Sequence, residues 1–166
     1  ISLLQLLGSS VALAGAPAVL STAVAVLTAR ATELYRFPGR SLARFCGLLP
    51  LLIPGTVFAI GVHLVFLRLG LADTVEGVQL VHLVTALPYA IAILTDVTAA
   101  VGANLEEQAA VLGAGPLAAF RWATLPRLVP GILSSLSMAF TLSYSQYFST
   151  LIVGGGYHGK STLLKA

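Results

Sequence analysis

The sequence predicts an all-α membrane protein: a transmembrane helix bundle bearing one polar helix-turn-helix loop at the membrane surface. Three observations predict it. Of 166 residues, 57% are hydrophobic and only 9% charged, whereas soluble domains average about 25% charged. The nine basic and six acidic side chains are segregated, since the stretches 3–28, 46–67, 80–100 and 129–152 hold a single charge, Asp96. Between the last two stretches lies a polar segment, 102–128, with a helix-turn-helix pattern of its own.

Each apolar stretch reaches the roughly 20 residues that an α-helix needs to cross about 30 Å of hydrocarbon. A buried Arg, Lys or Asp at mid-membrane costs about 2.5–3.5 kcal/mol, which explains why charges are kept out of them. Four spans are therefore expected. A soluble helical protein would instead show charged faces opposite apolar stripes. One cysteine excludes a disulfide framework, and no CxxC or clustered Cys and His suggests structural zinc. The net charge of +3 comes from arginines that border apolar spans, so nucleic-acid binding is not indicated. Gly154-Gly155-Gly156 is no phosphate loop, because no Lys-Ser/Thr ending follows at the required spacing.

The first span, 3–28, carries small residues (Gly8, Ser9, Ser10, Ala14, Gly15, Ala18) that suit close helix packing. The loop after it holds Arg30, Arg36, Arg40 and Arg44 against Glu33, which by the positive-inside rule belongs in the cytoplasm. By parity 68–79 falls outside, 101–128 inside, and the tail from Val153 outside. The second and third spans, 46–67 and 80–100, contain Pro50, Pro54 and Pro88, together with His63, His82 and Asp96. Ionisable groups inside a membrane are candidate functional groups. The fourth span, 129–152, offers Ser134, Ser135, Ser137 and Ala139 for packing, and a polar run, Ser143, Ser145, Gln146 and Tyr147, as the candidate solute pathway. The chain starts inside an apolar run, and Ser161–Ala166 reads as the approach to a further helix, so a longer protein is expected.

In the polar loop, Asn104 and Glu107 are spaced as a capping box that starts a helix. Gly113 suits its left-handed end. Pro116 opens a second short helix, which Leu125 and Pro126 end. Leu112, Leu117, Phe120 and Trp122 form its apolar side. Taken alone, this is an interfacial amphipathic hairpin.

Glu107-Gln108-Ala109, Gly113 and Leu125-Pro126, in this order and spacing, closely resemble the EAA loop of binding-protein-dependent ABC transporter permeases. Gln108 replaces the first Ala of that motif, and Ala123 stands where the family usually has Ile. Leu49–Gly55, Leu87–Ala90 and Pro130–Ile132 resemble the same family, so the likeness covers nearly the whole chain. It implies a type I importer permease core in the cell inner membrane, closest to the branch that imports polyamines, thiamine, iron complexes or sulfate. It also implies the partners: a cytoplasmic ABC ATPase dimer, a second permease subunit or half, an external solute-binding protein and membrane lipid. The chain itself would then hold no cofactor and no catalytic residue, because ATP is bound by the ATPase. Glu107, Gln108, Ala109, Leu112, Gly113, Leu117, Phe120, Leu125 and Pro126 are carried over as the ATPase-coupling residues. Within that set Glu107 is the ion-pair partner, Gly113 the turn, and Leu112, Leu117 and Phe120 the apolar anchors. An ion- or proton-coupled secondary transporter or channel is the alternative, and Asp96 is its thin support.

Overall fold

The computed structural model describes residues 3–154, with side chains given from residue 8 onward except at 56, 147 and 148. The expected helix at Ser161–Ala166 lies outside these residues. In chain order the helices are α1 (Leu3–Leu34), α2 (Arg40–Leu48), α3 (Gly55–Leu69), α4 (Val75–Val101), α5 (Asn104–Val111), α6 (Pro116–Ala119), α7 (Leu125–Ser145) and α8 (Tyr147–Val153). A 3-10 turn, Leu49–Leu52, follows α2, and a π turn, Phe120–Thr124, joins α6 to α7.

Three of these helices form the core. The buried face of α1 is a row of small residues, Ala14, Ala18, Ala25 and Ala29. Without a hydrophobic drive between helices in lipid, small side chains let backbones approach and pack. Ala25 and Ala29 meet Ala90, Ile91 and Leu94, while Ala18 meets Ala86 and Ala139. Residue numbers rise together along α1 and α4, so these helices run parallel. Helix α7 runs against them: Ala139 sits at the level of Ala86, and Ile132 at the level of Leu94. At Gly131 the approach is closest, since a Cβ there would fall 2.8 Å from both Val97 methyls. Of the expected small-residue contacts, Ala14, Ala18, Ser135 and Ala139 are buried, whereas Ser9, Ser10, Ser134 and Ser137 are exposed.

Three expectations need correction. The second span is not one straight helix, because Arg40–Leu52 and Val57–Leu69 meet at 104°. Ile53 is held extended (φ −100°, ψ 125°) ahead of Pro54, as the ring of a proline demands of the residue before it. The bent pair still travels the length of α4. Arg44 and Leu48 share a cavity wall with Thr95 and Ala99, and Phe58, Val62 and Phe66 pack on Val78 and Val81.

The fourth span does not run 129–152. Helix α7 stops at Ser145, the chain bends at Gln146 (φ −80°, ψ 50°), and α8 follows as a separate short helix. At its other end, Leu125 and Pro126 terminate nothing. An unbroken helical path runs Pro116–Ser145, 30 residues long. The π turn makes this possible, because the Leu125 N–H reaches back to the Phe120 carbonyl, and a wider turn absorbs the donor that Pro126 lacks. The described residues thus contain three helices long and apolar enough to cross a membrane, with the bent pair as a fourth crossing.

Candidate functional site

At one end of the core α5 and α6 form a hairpin. Helix α5 is not started by a capping box: its N-cap is Ala103, and no side chain caps it. The Ala103 carbonyl instead accepts from the N–H groups of Glu106 and Glu107 at 3.0 and 3.1 Å, so Asn104 is already inside the first turn. Gly113 closes α5 as expected, with φ +87°, a conformation that costs an L-residue about 1–2 kcal/mol. Its N–H donates to the Ala110 carbonyl at 2.9 Å.

The tip of the hairpin is apolar and bare. Val111, Leu112 and Leu117 are 88%, 87% and 78% exposed, in a segment beyond the membrane-length run of α4, and Trp122 in the π turn is 75% exposed. Glu107 and Gln108 are exposed as well, while Ala109 is partly covered. Phe120 does not join this patch. Its ring lies under the Arg30 guanidinium, with Cζ 4.2 Å from the ring centroid. The structure therefore brings Glu107, Gln108, Leu112, Gly113 and Leu117 together at the hairpin, and places Phe120, Leu125 and Pro126 at its root.

That root holds residues which the sequence did not single out. Arg30 donates from both terminal nitrogens to the two oxygens of Glu106, at 2.6 and 3.1 Å, and the Thr124 hydroxyl donates to the nearer oxygen at 2.8 Å. The hydrogen bonds from Arg30 hold the Glu106 carboxyl below the usual carboxylate range, against a smaller opposing push from burial. The available signal was the Glu106-Glu107 pair. Neighbours on a helix point about 100° apart, so only one of two adjacent glutamates can face the bundle. On the same side Glu33 accepts from Arg40 at 3.5 Å and from Arg44.

Toward the other end lies a second polar cluster, between α1, α4 and the α7–α8 bend. The buried His82 ring has Nδ1 2.9 Å from the Ser143 hydroxyl and Nε2 2.8 Å from the Thr150 hydroxyl. Thr150 already donates its only hydroxyl proton to the Gln146 carbonyl, at 2.8 Å. It therefore accepts from Nε2–H, which leaves Nδ1 as the acceptor for Ser143 in a neutral imidazole. Gln146 donates through its amide to Thr85, whose own hydroxyl donates to the Val81 carbonyl at 2.6 Å. A cavity of about 260 Å³ opens beside this network, lined by Ser10, Leu13, His82, Ser143, Tyr144 and Gln146, among others. Ser143 and Gln146 from the expected pathway run face the cavity. Ser145 turns away and donates to the Leu142 carbonyl, and the Tyr147 side chain lies outside the described residues. Asp96 is exposed near the C-terminal end of α4, away from this cavity.

Residues 8–165 match the family model of the binding-protein-dependent transport system inner membrane component. The chain belongs to this family. Curated relatives of the permease include the molybdenum transport system permease protein ModB of Mycobacterium tuberculosis, 33% identical over 129 residues, covering 70% of this chain and 49% of ModB. The osmoprotective compounds uptake permease protein GgtD of Synechocystis is 32% identical over 148 residues, 89% of this chain and 50% of GgtD. The sulfate transport system permease protein CysT of Salmonella typhimurium is 27% identical over 139 residues, 76% of this chain and 50% of CysT. The chain thus spans about half the length of these relatives. It is a multi-pass membrane component of the permease type, as the resemblance in the EAA loop implies.

Proposed function

We propose that the chain forms part of the solute pathway of an ATP-driven importer and couples it to a cytoplasmic ATPase dimer through the hairpin. The observation that carries this reading is the bare apolar tip, Val111, Leu112 and Leu117, mounted on a helical path continuous with α7. Large apolar side chains held out in water gain when a partner's cleft covers them, about 1.5–3 kcal/mol for each one fully buried. Such central anchors carry most of an interface's affinity, and a charge at their edge sets register. Glu107, exposed beside Gln108, is that charge.

The four arginines of the α1–α2 region flank the same end of the core, which supports a cytoplasmic position for the hairpin. ATP stays on the partner, and the chain contributes no catalytic group. Closure of the ATPase dimer pushes the tip, and the unbroken Pro116–Ser145 path carries the push into α7 without a joint. Rocking of α7 against α1 and α4 then moves the His82–Ser143–Gln146 cavity, which we place on the solute pathway. A second permease subunit or half completes that pathway, and an external solute-binding protein supplies the solute. Relatives of this chain carry molybdenum, sulfate and osmoprotective compounds in their names.

The test compares Glu107→Ala with Glu107→Gln in the full-length, assembled transporter. Both variants are expected to weaken retention of the ATPase and to slow uptake. Normal uptake with normal ATPase retention in both variants removes Glu107 from the interface.

A further inference from the structure

The root of the hairpin carries a second assignment, which rests on the coupling reading above. Helix α5 has no buried residue. It is joined to α4 through Gly102, whose φ of +66° and ψ of −174° lie outside the helical region. An eight-residue helix with no buried side chain, hung on such a joint, has little to stop it swinging. Among the described residues, the side-chain hydrogen bonds and ion pair that tie it to the core are those of Glu106.

Three separate segments meet at that carboxylate. Arg30 reaches it from α1 as a two-toothed fork, at 2.6 and 3.1 Å, the strong bidentate geometry of guanidinium on carboxylate. Thr124, itself 1% exposed, reaches it from the π turn at 2.8 Å. The flat face of the same guanidinium covers Phe120, at the other end of that turn, at 4.2 Å. Both side chains of the ion pair are shielded, at 15% and 21% exposure, so bulk water screens this pair less than one standing free at the surface.

We infer that Arg30, Glu106 and Thr124 form a positioning clasp that fixes the hairpin to α1, so that a push at the tip enters the bundle through α1 as well as through α7. The two adjacent glutamates then divide the work. Glu107 faces the partner, and Glu106 faces the bundle and sets the angle at which its neighbour is presented. Without the clasp the hairpin still binds the motor, but part of each stroke is lost as α5 swings about Gly102.

The experiment uses the full-length transporter in vesicles with its ATPase. Glu106→Gln keeps the shape and removes the charge, Thr124→Val removes one hydrogen bond, and Arg30→Lys keeps the charge without the fork. Two quantities are measured: ATPase retained on purification, and solute moved per ATP hydrolysed. Retention is expected to stay within twofold of the parent. Solute per ATP falls about tenfold in Glu106→Gln and less in Thr124→Val and Arg30→Lys. The exchange Arg30→Glu with Glu106→Arg recovers part of the loss, which a merely destabilised fold would not do. Spin labels at Ala31 and Gln108, both exposed, give a narrow distance distribution that broadens in Glu106→Gln.

Unchanged solute per ATP in Glu106→Gln overturns the clasp. So does a loss of ATPase as severe as that in Leu112→Asp, because Glu106 would then be a docking residue. Should Leu112→Asp itself keep the ATPase bound, the docking reading fails separately. The label distances then decide alone: a distribution that broadens in Glu106→Gln upholds the clasp, and an unchanged one overturns it.

Discussion

The two ends of the α1–α4–α7 core solve the same problem, holding polar groups against apolar helices, by opposite chemistry. At the hairpin end the ties are charged: Arg30 on Glu106, and Arg40 and Arg44 on Glu33. At the other end the ties are neutral, a chain of hydroxyl, imidazole and amide groups running through His82, Ser143, Thr150, Gln146 and Thr85. A charge near the membrane surface keeps water or a counter-charge within reach, whereas an ion within the hydrocarbon is far more expensive than a satisfied hydroxyl. The difference fits a division of labour. In the proposed coupling the charged end receives force, whereas the neutral end leaves a cavity at a helix break.

The largest effect is expected at the tip. Leu112→Asp combined with Leu117→Asp replaces two apolar anchors by charges, and each anchor at an interface centre is worth about 2 kcal/mol or more. ATPase affinity, measured by titration in detergent, should fall at least a hundredfold. The same kind of change at Leu69, an exposed apolar residue at the C-terminal end of α3 and away from the hairpin, should leave affinity within a few-fold. Equal losses at both places would erase the distinction drawn for the tip.

Next is the close crossing of α7 on α4. Gly131→Ala puts a methyl 2.8 Å from the Val97 methyls, and overpacking of this kind costs about 1–3 kcal/mol. Thermal unfolding should fall by several degrees, and Val97→Ala in the same chain should restore most of it. No recovery would mean that Gly131 is needed for something other than space.

A comparable loss is expected at the neutral end. His82→Ala leaves the Ser143 donor without its acceptor inside the membrane, at about 1–3 kcal/mol. His82→Gln, which keeps a donor and an acceptor, should lose less. Identical melting of the two variants would show that the network contributes packing rather than hydrogen bonding.

The smallest effect concerns pH. Arg30 holds the Glu106 carboxyl below its usual range, while an unfolded glutamate titrates near about 4.3. A lowered folded-state value gives stabilisation that is complete above the unfolded value and lost as pH falls through the folded one. The hairpin should therefore stay clasped at pH 5 and loosen only in more acidic buffer. Amide exchange across α5 reports this, and Glu106→Gln should exchange fast at every pH. A parent chain that loosens between pH 7 and 5 would contradict the assignment.

Much of this was legible in the residues. The segregation of charge marks the apolar stretches, because the cost of a buried ion acts on every sequence in the same way. Gly113 and Pro116 mark the hairpin because backbone sterics at these residues are local. Four features were hidden, each for a physical reason. Pro54 signals a break, but the 104° angle between its flanking helices depends on where α4 stands. Leu125-Pro126 reads as a helix end in isolation, yet a π turn absorbs the missing donor. Asn104 and Glu107 have the spacing of a capping box, but the Ala103 carbonyl takes the first-turn N–H groups one residue earlier. The Arg30–Glu106 pair joins residues 76 apart, and no local pattern carries such a contact.

The account stands most directly on the side of the membrane that the hairpin occupies and on what covers it. In a full-length transporter freed of its cysteines, Cys46 of this sequence among them, a single cysteine at Leu117 is treated with a membrane-impermeant thiol reagent on intact cells and on inside-out vesicles. The account predicts labelling only in inside-out vesicles, and protection there when the ATPase is bound. Labelling of Leu117→Cys on intact cells, or undiminished labelling beneath a bound ATPase, would contradict it.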